Sequence, residues 1–191
     1  DDLSGYENVN PADVSATNLN NDVAGVTVST ISNATTEALG TATFTVVLDT
    51  EPTNDVTFTL LTDDSTEGTV TTPGIKTLTF TSADWDSPQA VTVTGVNDDI
   101  FDGNVNYNII TSAASSSDLK YNTMVVDDVA VVNNDNDTAG FTVTPLTLNT
   151  TEAIGSGKTA TFTIVLTSKP ATDLVDYVVV VDVASNDLTE G

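Results

Sequence analysis

The chain has 191 residues, room for one large domain or for one complete domain of about 110 residues with parts of its neighbours, and it sets 28 Asp and Glu against 4 Lys and Arg, a formal charge of −24. So negative a surface repels phosphate and anionic lipid, which excludes nucleic-acid binding. With neither Cys nor His, disulfides, thiolate metal sites and the commonest general base are excluded as well, and the remaining ligand chemistry is oxygen.

Hydrophobic content is still 39%, and Thr- and Val-rich runs such as Thr43 to Leu48 put the acid on a folded β scaffold, since disordered acidic chains lack β-branched residues. Apolar and polar residues alternate with period two, the mark of half-buried strands. In chain order the pattern predicts strands over 25–31, 41–49, 55–62, 69–80 with a break at Pro73-Gly74, 89–96, 104–111 and 125–132. Their inward faces would carry Phe44, Val46, Leu48, Phe58, Leu60, Leu78, Phe80, Val91, Val93, Tyr107, Ile109, Val129 and Val131. About seven such strands and no helix predict an all-β antiparallel sandwich. Trp85, between the fourth and fifth strands, is expected to pack over the end of the sandwich. No apolar run approaches the roughly 18 residues of a membrane span, so no direct membrane insertion is expected. The chain opens on Asp1-Asp2 without a leader, as a mature or excised segment would.

The sequence also repeats itself. Tyr6 pairs with Tyr121, Asp22 with Asp137, Ala24-Gly25 with Ala139-Gly140, and Thr36-Glu37-Ala38 with Thr151-Glu152-Ala153, each 115 apart. Thr43-Phe44-Thr45 and Pro52 recur at 118, as Thr161-Phe162-Thr163 and Pro170, which marks a three-residue insertion near Ser156-Gly157-Lys158. Thr66-Glu67-Gly68 returns as Thr189-Glu190-Gly191. The expected organisation is therefore 1–23 as the last strand of a preceding repeat, 24–138 as a complete domain, and 139–191 as the first three strands of a following repeat.

If successive strands run antiparallel, the loops after the first, third and fifth strands and the end of the seventh share one pole. That pole holds Glu37; Asp63, Asp64 and Glu67; Asn97-Asp98-Asp99 with Asp102; and Asn133 to Asp137. Carboxylates brought so close repel by about 1 kcal/mol per pair at surface dielectric, and a divalent cation reverses the sign. Calcium accepts about six to eight oxygen ligands in irregular geometry. The candidate metal ligands are Glu37, Asp63, Asp64, Asp98, Asp99, Asp102, Asp135 and Asp137. The plain alternative is that Asp and Asn simply form turns on solvated loops.

The segment Val91 to Asp102 with Asn106-Tyr107, and the run Asp135-Asn136-Asp137-Thr138-Ala139-Gly140-Phe141 followed by Thr151-Glu152, resemble the Calx-β domain, in tandem copies as in large bacterial surface proteins. The resemblance implies an immunoglobulin-like sandwich with calcium at its distal loops, and it carries Glu37, Asp98, Asp102, Asp135 and Asp137 onto ligand positions, with Asp63 or Asp64 close to another. Asn97 and Asn136 stand where the family has carboxylates and Val105 where it has a Glu, which implies fewer ions or weaker affinity, around 10⁻⁴ to 10⁻³ M as in extracellular modules. The expected role is that of a bacterial extracellular structural repeat, the calcium-stiffened rod or stalk of an adhesin or fibre, with Ca2+ as a structural interdomain cofactor. Its partners would be neighbouring repeats or identical subunits, and a surface glycan or cell-surface partner would be met through other parts of the full protein. The alternatives are a subunit that assembles into a filament or surface layer by strand exchange, and a calcium-sensing regulatory domain. No enzyme is expected, because the acids cluster at an edge without aromatic walls or a basic partner.

Overall fold

The computed structural model describes residues 9–150, 159–170 and 178–186. Its strands are β1 (Val26–Val28), β2 (Thr35–Thr36), β3 (Thr41–Leu48), β4 (Val56–Thr62), β5 (Gly68–Thr72), β6 (Thr77–Phe80), β7 (Gln89–Gly95), β8 (Val105–Thr111), β9 (Ser115–Ser116), β10 (Val129–Asn134), β11 (Phe141–Thr144) and β12 (Thr163–Leu166). Among the described residues there is no helix, and none long and apolar enough to cross a membrane.

Two sheets form an all-β sandwich. One has the order β1-β3-β7-β5; the other runs β2-β10-β8-β4-β6, with β9 also on β4. Every pairing is antiparallel except that of β2 with β10. Alternation in β3 puts Ala42, Phe44, Val46 and Leu48 into the core and Thr41 and Thr43 in solvent, the division that a period of two dictates. All thirteen inward candidates are buried, joined by Val56, Val70 and the fully buried Tyr121. Phe58 and Phe80 meet edge to face at 6.3 Å, and Trp85 packs against this core, partly buried. The Tyr121 hydroxyl donates to the Thr50 carbonyl at 2.6 Å, tying the long connection before β10 to the end of β3.

Three predicted strands need correction. The strand over 25–31 is only β1, after which the chain crosses to the other sheet and joins it as β2. The strand over 69–80 is likewise divided: β5 pairs with β7 and β6 with β4. Pro73 has no N–H to offer a ladder, and there the chain changes sheets. The last strand lies at Val129–Asn134 rather than 125–132. Asp128 spends its carboxylate on the Thr111 amide, so pairing begins one residue later, at Val129 with Ile109, and it extends to Asn134 because β2 supplies a second partner.

Beyond the sandwich, β11 and β12 pair with Phe141 opposite Leu166. This repeats the register of β1 and β3, where Val26 faces Leu48, at the spacings of 115 and 118. The predicted third strand of this segment is not seen in 178–186, and 171–177 lie outside the described residues. Residues 9–25 hold no strand either, contrary to the reading of 1–23 as a last strand, of which 1–8 lie outside the described residues.

Candidate metal centre

The pole predicted from strand direction exists. Parallel pairing of Asn133-Asn134 with Thr35-Thr36, continued by the Glu37 amide to the Asn134 carbonyl at 3.1 Å, sets Glu37 beside the chain leaving β10. Glu37, Asp135 and Asp137 each direct a carboxylate oxygen to within 4.8 Å of the others. Glu67, at the start of β5, and Asp98 and Asp102, between β7 and β8, make a second triad within the same limit.

Hydrogen bonds hold the two triads in one frame. Asn133 is buried; its amide donates to Glu67 Oε2 at 3.3 Å and to the Val96 carbonyl at 3.0 Å, while its Oδ1 accepts from the Thr35 hydroxyl. Asn136 donates its backbone N–H to Glu37 Oε2 at 3.0 Å and its side-chain amide to Asn97 Oδ1 at 3.0 Å. Asp135 accepts from the amides of Gly103 and Asp137. Glycine is required at two points of this frame: a Cβ on Gly68 would overlap the Tyr107 ring, and one on Gly95 would overlap the Thr36 carbonyl and Asn133 Oδ1.

The electrostatics are unfavourable as they stand. Burial pushes Glu37 above the usual carboxylate range, and the charges of Asp135, Asp98 and Asp137 add to this against the hydrogen bond from Asn136. Glu67 is raised by burial and by Asp102, Asp64 and Asp98, opposed by Asn133. Asp137 is raised by desolvation and then by Asp135, Asp99 and Asp98. Its Oδ2 is buried and meets no hydrogen-bond donor among the described residues. Glu37 and Glu67 are only 3% and 6% exposed, and a buried carboxylate normally has a cation or a full set of donors. An all-oxygen set with an undonated buried oxygen fits a hard divalent cation.

Five of the eight candidate ligands, Glu37, Asp98, Asp102, Asp135 and Asp137, fall in the triads. The other three do other work. Asp63 is exposed and turns to β8, accepting from the Asn108 amide at 2.7 Å and its side chain at 2.8 Å, bonds that hold its carboxyl below the usual range. Asp64 closes its own loop by accepting from the Thr66 amide and hydroxyl. Asp99 meets Lys169 at 2.5 Å. The ligand set chosen from sequence omitted Glu67, although Thr66-Glu67-Gly68 is one of the tripeptides that recur. It omitted Asn133 as well, whose bridging role depends on contacts with β2, β5 and β7 that sequence does not display.

No protein-family model matches the chain, and no curated protein does. A cohesin-dockerin complex from Clostridium thermocellum, Coh-OlpC-Doc435, is similar to 63% of this chain over 99% of its own, at 8% identity and a TM-score of 0.32. Surface layer protein SbsC, domains 1–6, is similar to 76% of this chain at 17% identity and a TM-score of 0.31, and this chain covers 22% of that one. At these scores neither likeness bears on function.

Proposed function

We propose that this chain is a non-catalytic structural repeat of an extracellular protein, whose joint to the next repeat is stiffened by calcium. The observation that carries this reading is the meeting of two acidic triads, drawn from four sequence-distant segments, where β10 runs on into β11. Glu37, Asp135 and Asp137 would hold one ion, and Glu67, Asp98 and Asp102 a second or an extension of the first. Bound calcium would neutralise the raised carboxyls, satisfy Asp137 Oδ2 and fix residues 135–137, the start of the connection to β11. Ligation would make that connection stiffer than its hydrogen bonds alone make it.

Thermal melting in calcium chloride and in excess EGTA, with calorimetric titration, tests this. A ligand at 100 times its Kd adds about 2.7 kcal/mol to the native state, a rise on the order of 10 °C for a domain of this size. Equal midpoints in the two conditions, with no heat of binding at millimolar calcium, reject the reading. A second reading, assembly of identical subunits, is favoured by the exposed apolar side chains in and beside β11 and β12 and in 178–183, among them Phe141, Phe162, Val178 and Val180. Sedimentation velocity across a concentration series distinguishes them, because a stalk repeat stays monomeric.

A further inference from the structure

Among the described residues the acidic pole has one cationic neighbour, and it comes from the following repeat. Lys169 Nζ lies 2.5 Å from Asp99 Oδ2, the Lys169 amide donates to the Asp99 carbonyl at 2.6 Å, and Ile100 and Lys169 form a parallel bridge. Main chain and side chain thus both join the loop between β7 and β8 to the segment after β12. The chain has only 4 basic residues, and one of them lands here. Its ammonium is held in the charged form by the hydrogen bond and charge of Asp99, with Asp98 and Asp137 adding to it.

Repeat register adds an independent observation. Lys169 precedes Pro170 as Glu51 precedes Pro52, so the position carries opposite charge in the two copies. A glutamate there would repel an aspartate in the place of Asp99, and the lysine attracts it. The contact is therefore a property of this joint and not of the repeat.

We propose that Lys169 is the counter-charge of the joint between the two units: it holds the following unit against the acidic pole in the absence of a divalent ion, and it weakens the pole's affinity for one. The second half rests on the calcium reading above; the first does not. Both side chains are 64% exposed, so the latch is soft and gives way at high salt. By linkage, an ion that binds less tightly because Lys169 is present must loosen Lys169 to the same degree when it binds. The joint would then exchange a salt-sensitive ion pair for metal ligation.

The test uses the full chain with Lys169→Asp, Lys169→Gln and the charge swap Asp99→Lys with Lys169→Asp. In EGTA at low salt, backbone amide relaxation of β11 and β12 is expected to follow the tumbling of the sandwich in the parent chain, to become independent of it in Lys169→Asp, and to return in the swap. In calcium chloride titrations, Lys169→Gln is expected to bind about twofold more tightly, the effect of removing one screened charge. Unchanged relaxation in Lys169→Asp, or no recovery in the swap, overturns the latch. Equal calcium affinity in Lys169→Gln and the parent overturns the coupling. A parent chain that binds no calcium defeats the metal reading and the coupling together, while the relaxation arm still decides the latch.

Discussion

Asp98, Asp102, Asp135 and Asp137 are legible as candidate ligands because they follow strand ends in stretches rich in Asp and Asn, and Glu37 because Thr36-Glu37 returns as Thr151-Glu152. Their chemistry depends on a property that sequence does not carry, the depth at which each sits. Glu37, Glu67 and Asp137 all titrate above their usual ranges, chiefly through burial. A raised carboxyl binds its proton more tightly in the fold than in the unfolded chain, so the native state is favoured while the group is protonated and loses that advantage as pH rises through the raised value. In EGTA, Tm is expected to increase as the pH falls from 7 toward the region just above 4.5, the usual Glu value. The gain ends once Asp63, Asp84 and Asp118, held below 3.8 by their hydrogen bonds, start to protonate and release them. If calcium binds as proposed, the slope is expected to invert in its presence, because protons and the ion would compete for the same oxygens. Calorimetric scans across pH with and without EGTA check both signs, and a calcium-free Tm that falls steadily from pH 7 to 5 would contradict the burial of these groups.

At the scale of elements, β3 and β12 make a controlled comparison, since they hold nearly the same sequence in the same hairpin register. Phe44 is 1% exposed and its counterpart Phe162 is 41% exposed. Phe44 is covered by the second sheet; no corresponding sheet lies over Phe162 among the described residues. Phe44→Ala is therefore expected to cost about 3–5 kcal/mol by transfer and cavity formation, whereas Phe162→Ala should cost less than about 1 kcal/mol, as exposed substitutions do. Urea unfolding followed by Trp85 fluorescence reports both. Similar losses for the two would mean that β12 has a core of its own. Repeat spacing pairs the two phenylalanines as equals, because sequence pattern encodes which position a residue occupies and not whether anything covers it.

At the scale of the whole molecule, the large core belongs to residues 24–138, and the β11 and β12 hairpin adds a two-stranded ribbon, an arrangement that is marginal in water on its own. A protein ending at residue 138 is expected to melt within about 4 °C of the full chain in EGTA, because surface-type contacts such as Lys169 with Asp99 contribute about 0–1 kcal/mol. Differential scanning calorimetry measures this. A loss of 10 °C would show that the following segment stabilises the sandwich far more than its contacts imply.

The amino-acid sequence by itself determined the all-β character, the inward residues of six of the seven predicted strands, the repeat spacing and the pole at which the acids gather. Each follows from a local period or from the direction in which consecutive antiparallel strands run. Tertiary structure decided where the strands divide between sheets, at Pro73 and between β1 and β2, and which acids face one another. Asp63 and Glu67 are four residues apart on one loop, yet one accepts from Asn108 of β8 in solvent and the other is buried against Asn133. What separates them is the backbone direction of that loop as it enters β5 against the Tyr107 ring, a contact between residues about forty positions apart, which no local pattern of Asp and Glu encodes.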